Sequence, residues 1–235
     1  MALGSAVSCL SRLRTRSFFS LGGILLLCWG CAFVGPVSQP AEQQWSCDPR
    51  ADAAVHREDW PQALKLHLAF LEKNPVNGLA YYHLGYIRGR LGDRAMEAAD
   101  YERAAACGYG KDDQLFFNLG MAYIELNQPE SAIGAFQRAV DLNPGSAENH
   151  YGWGMATLSA GRTAQARAAF TRALERDSRH VGAHMQLARS LLDEGRLEEG
   201  RSHLETLLRI VPQDEEVLEL VRRYKARNAI RYTMP

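Results

Sequence analysis

The sequence predicts an all-α fold, a superhelical solenoid of about five stacked helix-turn-helix repeats over residues 47–212. Two observations lead to this prediction. The chain resembles itself at steps of 34 or 35 residues, which is typical of a repeat architecture. Within each half-step, apolar residues recur at three- and four-residue spacing, which indicates a pair of amphipathic helices.

An N-terminal segment, residues 1–37, precedes the repeats. Arg12, Arg14 and Arg16 come before the first acidic residue, Glu42, and residues 17–37 carry no charge. A basic start followed by an apolar run has the form of a secretory signal, and about 20 residues suffice to span a bilayer. We therefore expect a signal peptide or a membrane-anchoring helix. Because cationic flanks resist translocation, we expect the repeats on the exported side, periplasmic or otherwise extracytoplasmic.

Cys31 is a candidate for lipidation. It follows Gly30 and a leucine run, so the segment resembles a bacterial lipoprotein signal, although Cys28 and Trp29 stand where such signals prefer an aliphatic and a small residue. The sequence leaves open whether the segment is cleaved, lipidated or retained. A mitochondrial location is a further alternative, since residues 1–20 are rich in Arg and Ser and lack acids. The pair Cys28 and Cys31 lies in an apolar run, so we expect neither redox chemistry nor metal binding there.

A short linker, residues 38–46, joins this segment to the repeats, because it is polar and contains Pro40. The whole chain has 27 basic and 27 acidic residues. A nucleic-acid-binding protein normally has a clustered basic excess. We therefore expect no nucleic-acid partner.

Four columns of residues keep the repeat period. A large apolar residue is followed by a small one in the first helix of each unit: Leu84-Gly85, Leu119-Gly120, Trp153-Gly154 and Leu187-Ala188. A bulky residue marks the second helix: Tyr101, Phe136, Phe170 and Leu204. The turn column is Gly92, Asn127, Gly161 and Gly195, and the closing column is Pro144, Ser178 and Pro212.

These columns resemble the tetratricopeptide-repeat (TPR) family, whose unit is a 34-residue helix-turn-helix. Residues 116–144 match nearly every signature position, including Ala132, Phe136 and Ala139. The first repeat matches least well because His67 stands in the aromatic column. The second has Glu97 in the column that holds Ala132 and Ala166 in later repeats, and one extra residue in the loop 107–110.

A final segment, residues 213–235, is predicted to be a capping helix and tail. Apolar residues such as Val217 and Leu220 fall on one face, with basic residues nearby. A solenoid needs such a polar-backed element at its end.

The resemblance implies that the first helix of each repeat lines a concave groove that binds a protein or peptide. The predicted groove residues are Tyr82, Tyr86, Arg90, Phe117, Met121, Tyr151, Met155, Met185 and Arg189. Aromatic and methionine side chains suit an amphipathic or apolar segment of a partner, and the two arginines could contact an acidic group. The Lys and Asn residues by which some TPR domains clamp chaperone carboxylates are replaced here by residues such as Tyr82 and Met121.

We expect no enzymatic activity, no cofactor and no metal. His180 and His184 lie four residues apart, as in some metal pairs, but no glutamate follows His180, and His150 and His184 occupy equivalent columns, which favours packing roles. We do not expect a disulfide between Cys47 and Cys107.

The predicted function is that of a membrane-tethered or exported scaffold that assists assembly of an envelope complex. Two alternatives remain. The chain could be a self-assembling coat, with the groove of one copy holding a neighbouring copy in a homo-oligomer. It could also be an auxiliary subunit of a redox or hydrolytic enzyme.

Overall fold

The computed structural model describes residues 46–233. The predicted signal or anchor, Cys31 and most of the linker lie outside the described residues. Within the described part, no helix combines the length and the apolar character needed to cross a membrane.

Helices make up the described part of the chain, where no strand is found. The first helices of the repeats are α1 (Pro49–His56), α3 (Gly78–Leu91), α5 (Asp113–Glu125), α7 (Ala147–Ser159) and α9 (Val181–Asp193). The second helices are α2 (Trp60–Lys73), α4 (Arg94–Ala106), α6 (Pro129–Leu142), α8 (Thr163–Arg176) and α10 (Leu197–Ile210), and α11 (Glu215–Thr233) follows. Each helix packs on the next along the chain. The predicted all-α solenoid of five helix pairs and a final helix is confirmed.

The turn inside each repeat has one recurring geometry. In the second repeat, Gly92 adopts a left-handed backbone with φ 82°, its N–H donates to Gly89 O, and the next N–H, of Asp93, donates to Arg88 O. This hydrogen-bonding pattern ends a helix by satisfying its last carbonyls. The corresponding positive-φ residues of the other repeats are Glu58, Asn127, Gly161 and Gly195.

The loops between repeats explain the one irregular step of the period. The loop after α4 comprises residues 107–112, whereas the loops after α6, α8 and α10 comprise residues 143–146, 177–180 and 211–214. The extra length of the second repeat therefore lies in the predicted loop. Asn77, Asp112 and Ser146 then accept backbone N–H groups and cap the helices that follow.

Glycines let the two helices of a repeat approach closely. A Cβ atom built on Gly85 would lie 2.7 Å from the Tyr101 ring, and one on Gly154 would lie 2.4 Å from the Phe170 ring. Gly120 meets Phe136 in the same way. These contacts are too short for any side chain. In the fifth repeat, where alanine replaces the glycine, leucine replaces the ring.

The final helix covers the end of the core. Val217 and Leu220 are buried in one cluster with Leu192, Leu204 and Leu207 of the last repeat. On the solvent side, Arg223 pairs with Asp193 at 2.7 Å. The helix thus has an apolar face toward α9 and α10 and a charged outer face, as predicted for a cap.

Candidate functional site

One concave pocket brings together four of the nine predicted groove residues. Its volume is about 630 Å³, and it is formed by residues of α3, α4 and α5. Its lining residues are Tyr82, Tyr86, Gly89, Arg90, Arg94, Glu97, Tyr101, Gln114, Asn118 and Met121. We call this the α3–α5 pocket.

Apolar side chains at the α3–α5 pocket remain open to solvent. Tyr86 is 41% exposed and Met121 is 39% exposed. The Tyr86 and Trp60 rings make an edge-to-face contact with centroids 6.0 Å apart, and the Arg90 guanidinium lies 5.2 Å from the centroid of the same indole. Trp60 from α2 therefore holds both side chains in place by ring and cation–π contacts.

An ion pair with a buried carboxylate lies among the pocket residues. Glu97 is buried, and its carboxylate accepts a hydrogen bond from Arg94 at 2.8 Å. Burial raises the pKa of Glu97, an effect that the neighbouring Arg94 opposes. Gly89 makes space for this carboxylate, since a Cβ there would lie 2.6 Å from Glu97 Oε1. The groove prediction missed this polar group, although glutamate in an alanine column was its sequence signal.

Two amides complete the polar part of the α3–α5 pocket. The Gln114 Nε2 group donates to Asn118 Oδ1 at 2.8 Å, and Asn118 Nδ2 donates to the Tyr82 hydroxyl at 3.4 Å. Burial raises the pKa of Tyr82, so its phenol stays protonated at neutral pH. Amides and a phenol both donate and accept hydrogen bonds, which makes this wall able to pair with a peptide backbone.

The other predicted groove residues are shared with the core. The Phe117 ring lies 5.5 Å from the Phe136 ring, and the Tyr151 ring lies 5.7 Å from that of Phe170. Residues three apart face the same side of a helix. Phe117 is three residues before Gly120 and Tyr151 is three before Gly154, so each lies beside the glycine that receives the ring. Met155 and Met185 also pack against core clusters while half-buried. Their role in binding stays a prediction.

Arg189 is engaged in an ion pair with Glu216 of α11. It also lines a second pocket, of about 430 Å³, with residues of α7, α8 and α9. The two arginines of the predicted groove thus differ in their surroundings. Arg90 lies against Trp60 beside the α3–α5 pocket, whereas Arg189 joins the last repeat to the cap.

A second group of polar side chains meets at the first repeat. The group comprises Cys47, Asp52, His67 and His83, with one potential ligand atom from each within 4.8 Å of the others. Cys47 and Cys107 are free thiols. Burial, reinforced by the nearby Asp52, raises the pKa of Cys47 to about 12. The sequence signal was His67, a polar residue in a column of buried rings.

Comparisons with known proteins agree with this architecture. Residues 114–146 and 157–224 match family models described as tetratricopeptide repeat. The chain belongs to the TPR family. A search of curated proteins gives no match.

Several solved structures resemble the array. YrrB, described as a TPR protein with an unusual peptide-binding site, is 24% identical, with a TM-score of 0.66 over 73% of this chain and 88% of YrrB. MamA from Desulfovibrio magneticus is 15% identical, with a TM-score of 0.66 over 71% of this chain and 94% of MamA. Pseudomonas aeruginosa pilF is 19% identical, with a TM-score of 0.65 over 76% of this chain and 81% of its own. At these identities, the likeness shows the fold.

Histidines in the later TPR repeats have packing roles. His150 Nε2 donates to Pro144 O at 3.1 Å, and His184 Nε2 makes the equivalent bond to Ser178 O at 3.0 Å. His180 caps α9 by accepting the Ala183 N–H at 3.1 Å. His180 and His184 thus have separate partners, so the TPR array uses them to fix the loops between repeats.

Proposed function

We propose that this TPR protein is a scaffold that binds a segment of a partner protein in the α3–α5 pocket. The observation that supports the proposal best is the combination of exposed Tyr86 and Met121 with the hydrogen-bonding groups of Gln114 and Asn118. Exposed aromatic and methionine side chains in a concave site favour apolar anchors. Amides beside them favour the backbone of the same segment.

The charges of the pocket refine the partner's chemistry. Glu97 and Arg94 are paired with each other, Arg94 also pairs with Glu125, and Arg90 lies against the Trp60 ring. Each of these charges therefore already has a partner within the chain. We infer that the bound segment presents an apolar side chain to Tyr86 and Met121 and uncharged polar groups beneath it. An amphipathic or apolar segment fits this description. The peptide-binding site described for YrrB is consistent with this use of the fold.

We further propose that residues 1–37 tether or export the scaffold, so that the repeats assist assembly of an envelope complex. The cationic start and the uncharged run of 17–37 support this proposal. Mass spectrometry of the N-terminal peptide from membrane fractions distinguishes a retained Met1, a cleaved start and a lipid-modified Cys31. Recovery of the intact chain in the soluble cytoplasmic fraction would contradict the tether.

The pocket is tested first by locating the partner segment. A photo-crosslinking amino acid replaces Met121 in the full-length chain, and the same replacement at Met96 serves as the control, because Met96 is 37% exposed but does not line the pocket. We expect position 121 to crosslink a defined segment that position 96 does not. Mass spectrometry then identifies the segment.

The affinity of that segment, as a synthetic peptide, tests the role of the apolar residues. We expect Tyr86→Ala/Met121→Ala to weaken binding by about 30-fold or more, as loss of an anchoring pair at an interface does. Met96→Ala/Leu142→Ala removes apolar residues that are each 37% exposed outside the pocket and should bind like the wild type. Equal affinities of a folded pocket variant and the wild type would exclude the proposed site.

A further inference from the structure

The first repeat departs from its neighbours in a way that the peptide site does not use. His67 is fully buried in the column that holds Tyr101, Phe136 and Phe170 in the next repeats. A buried imidazole is unfavourable without polar partners. Its partners are Asp52 and His83, and Cys47 lies beside them.

We propose that Cys47, Asp52, His67 and His83 form a tetrahedral Zn²⁺ site. Zinc accepts thiolate, imidazole and carboxylate ligands, and this donor set contains all three. The proposal replaces the expectation of no metal, which considered only sequence-local pairs.

The spacing of the ligand atoms fits such an ion. Zinc bonds of about 2.0–2.3 Å in a tetrahedron place neighbouring ligand atoms roughly 3.3–3.7 Å apart. His67 Nε2 lies 3.1 Å from His83 Nδ1. Asp52 Oδ1 lies 3.2 Å from His83 Nδ1 and 3.6 Å from His67 Nε2. The Cys47 Sγ atom lies within 4.8 Å of the other three, so modest movements would bring the four atoms onto one ion.

The orientation of His67 favours metal binding. Its Nδ1 lies 3.0 Å from Ala63 O, and a carbonyl can only accept, so Nδ1 carries the proton. The lone pair of Nε2 therefore faces the cluster. Histidine ligands of metals are commonly oriented by a hydrogen bond of the other ring nitrogen to a carbonyl.

Asp52 provides an independent observation. Its Oδ1 atom is buried and accepts no hydrogen bond of normal geometry, although His83 Nδ1 is 3.2 Å away. Buried carboxylate oxygens are nearly always paired. A cation between the four side chains would be a direct ligand partner for this oxygen.

The position of Cys47 shows what the site would do. Asn77 Nδ2 donates to Ser46 O at 3.0 Å, so the segment before α1 is fixed to the start of α3. The four ligands come from this segment, α1, α2 and α3. Four protein ligands leave no open position, as in structural rather than catalytic zinc sites. The ion would hold the eight-residue α1, which is too short to be stable alone, onto the array.

Metal content and cobalt spectroscopy of the full-length protein test the site. We expect one zinc per chain, and visible tetrahedral d–d bands with a thiolate charge-transfer band when Co²⁺ replaces it. Cys47→Ser should abolish the charge-transfer band, and His83→Gln should change the d–d bands. Removal of zinc should lower the melting temperature of the wild type by roughly 5–10 °C and leave that of His83→Gln unchanged.

Control variants make the result interpretable. Cys107→Ser and His203→Gln alter a thiol and an imidazole outside the cluster and should keep zinc and both spectra. A variant with Cys9, Cys28, Cys31 and Cys107 replaced by Ser keeps Cys47 as its only thiol and should retain the charge-transfer band even if Cys47→Ser fails to fold. Loss of the band in this variant, or absence of stoichiometric zinc from the wild type, would overturn the proposal.

Discussion

Glu58 holds a backbone conformation that its side chain disfavours. Its φ is 57°, and the residues at the same turn position in later repeats include Gly92, Gly161 and Gly195. The Glu58 N–H donates to Val55 O and the next N–H donates to Ala54 O, which is the hydrogen-bonding pattern of the other turns. The turn therefore imposes the conformation, and a residue with a Cβ bears a cost there.

We expect Glu58→Gly to stabilise the protein by about 0.5–1 kcal/mol. Relief of the left-handed strain is worth about 1–2 kcal/mol, and the greater freedom of glycine in the unfolded chain offsets part of it. Urea denaturation followed by circular dichroism measures the change. Glu58→Ala removes the charge but keeps the Cβ, so a gain of equal size in that variant would contradict the explanation.

Asp100 and Arg88 form a buried ion pair in the second repeat. Arg88 Nη1 donates to Asp100 Oδ2 at 2.5 Å, and Asp100 is fully buried. Burial raises the pKa of Asp100 to about 6, although Arg88 and Arg103 oppose the shift. The folded chain thus binds a proton at a higher pH than the unfolded chain, so this group's contribution to stability falls as the pH rises through about 6.

Removing Arg88 should make this dependence steeper. Arg88→Leu leaves a buried carboxylate unpaired and should cost about 3–5 kcal/mol near pH 8. The cost should shrink toward about pH 5 because Asp100 is then protonated and needs no counter-charge. Denaturation at both pH values measures it. In Arg88→Leu/Asp100→Ala, which copies the alanine of the third and fourth repeats, most stability should return, and the added pH dependence should vanish. A cost that is the same at both pH values would contradict the assignment.

At the scale of helices, facing residues of matched size determine how each pair packs. Gly154 receives the Phe170 ring, whereas Ala188 faces the smaller Leu204 in the next repeat. A well-packed core resists added methyl groups. The spacing between the two helices of a repeat therefore depends on both members of the pair.

A double substitution tests this pairing. We expect Gly154→Ala to destabilise the protein by about 1–3 kcal/mol, because the new methyl group would meet the Phe170 ring. Adding Phe170→Leu should recover part of the loss, since it copies the Ala188 and Leu204 pair. Denaturation of the four proteins in a double-mutant cycle gives the coupling energy. Strictly additive effects would show that the two positions do not determine the spacing.

For the whole molecule, the sequence predicted the repeat number, the helix pairs, the loop insertion and the final helix. These features are local, so the apolar spacing and the turn residues of each repeat are enough to predict its helices and loops. The groove was predicted less completely. Tyr82 and Phe117 share a helix face with the glycines, and sequence spacing alone does not separate a ring that packs inward from one that lies open.

The polar groups of the array were the hardest to predict. Gly89 of α3 leaves space for the Glu97 carboxylate of α4. Because the two residues lie on different helices, sequence spacing does not show their contact. The cluster around His67 draws on four segments, with spacings of 5, 15 and 16 residues that match no local motif. Both groups were nevertheless marked in the sequence by residues that depart from their repeat columns.

The matched sizes of the facing side chains in each repeat also affect mispairing of helices during folding. α3, α5 and α7 present equivalent glycines, so each can sterically accept a ring from another repeat, and mispaired intermediates are an expected hazard of such arrays. α9 is different, because the methyl group of Ala188 would collide with any of those rings. Mispairing is therefore restricted at the C-terminal end, because α9 accepts the leucine of α10 but not a ring from another repeat. The pair that α11 covers is thus the correct one.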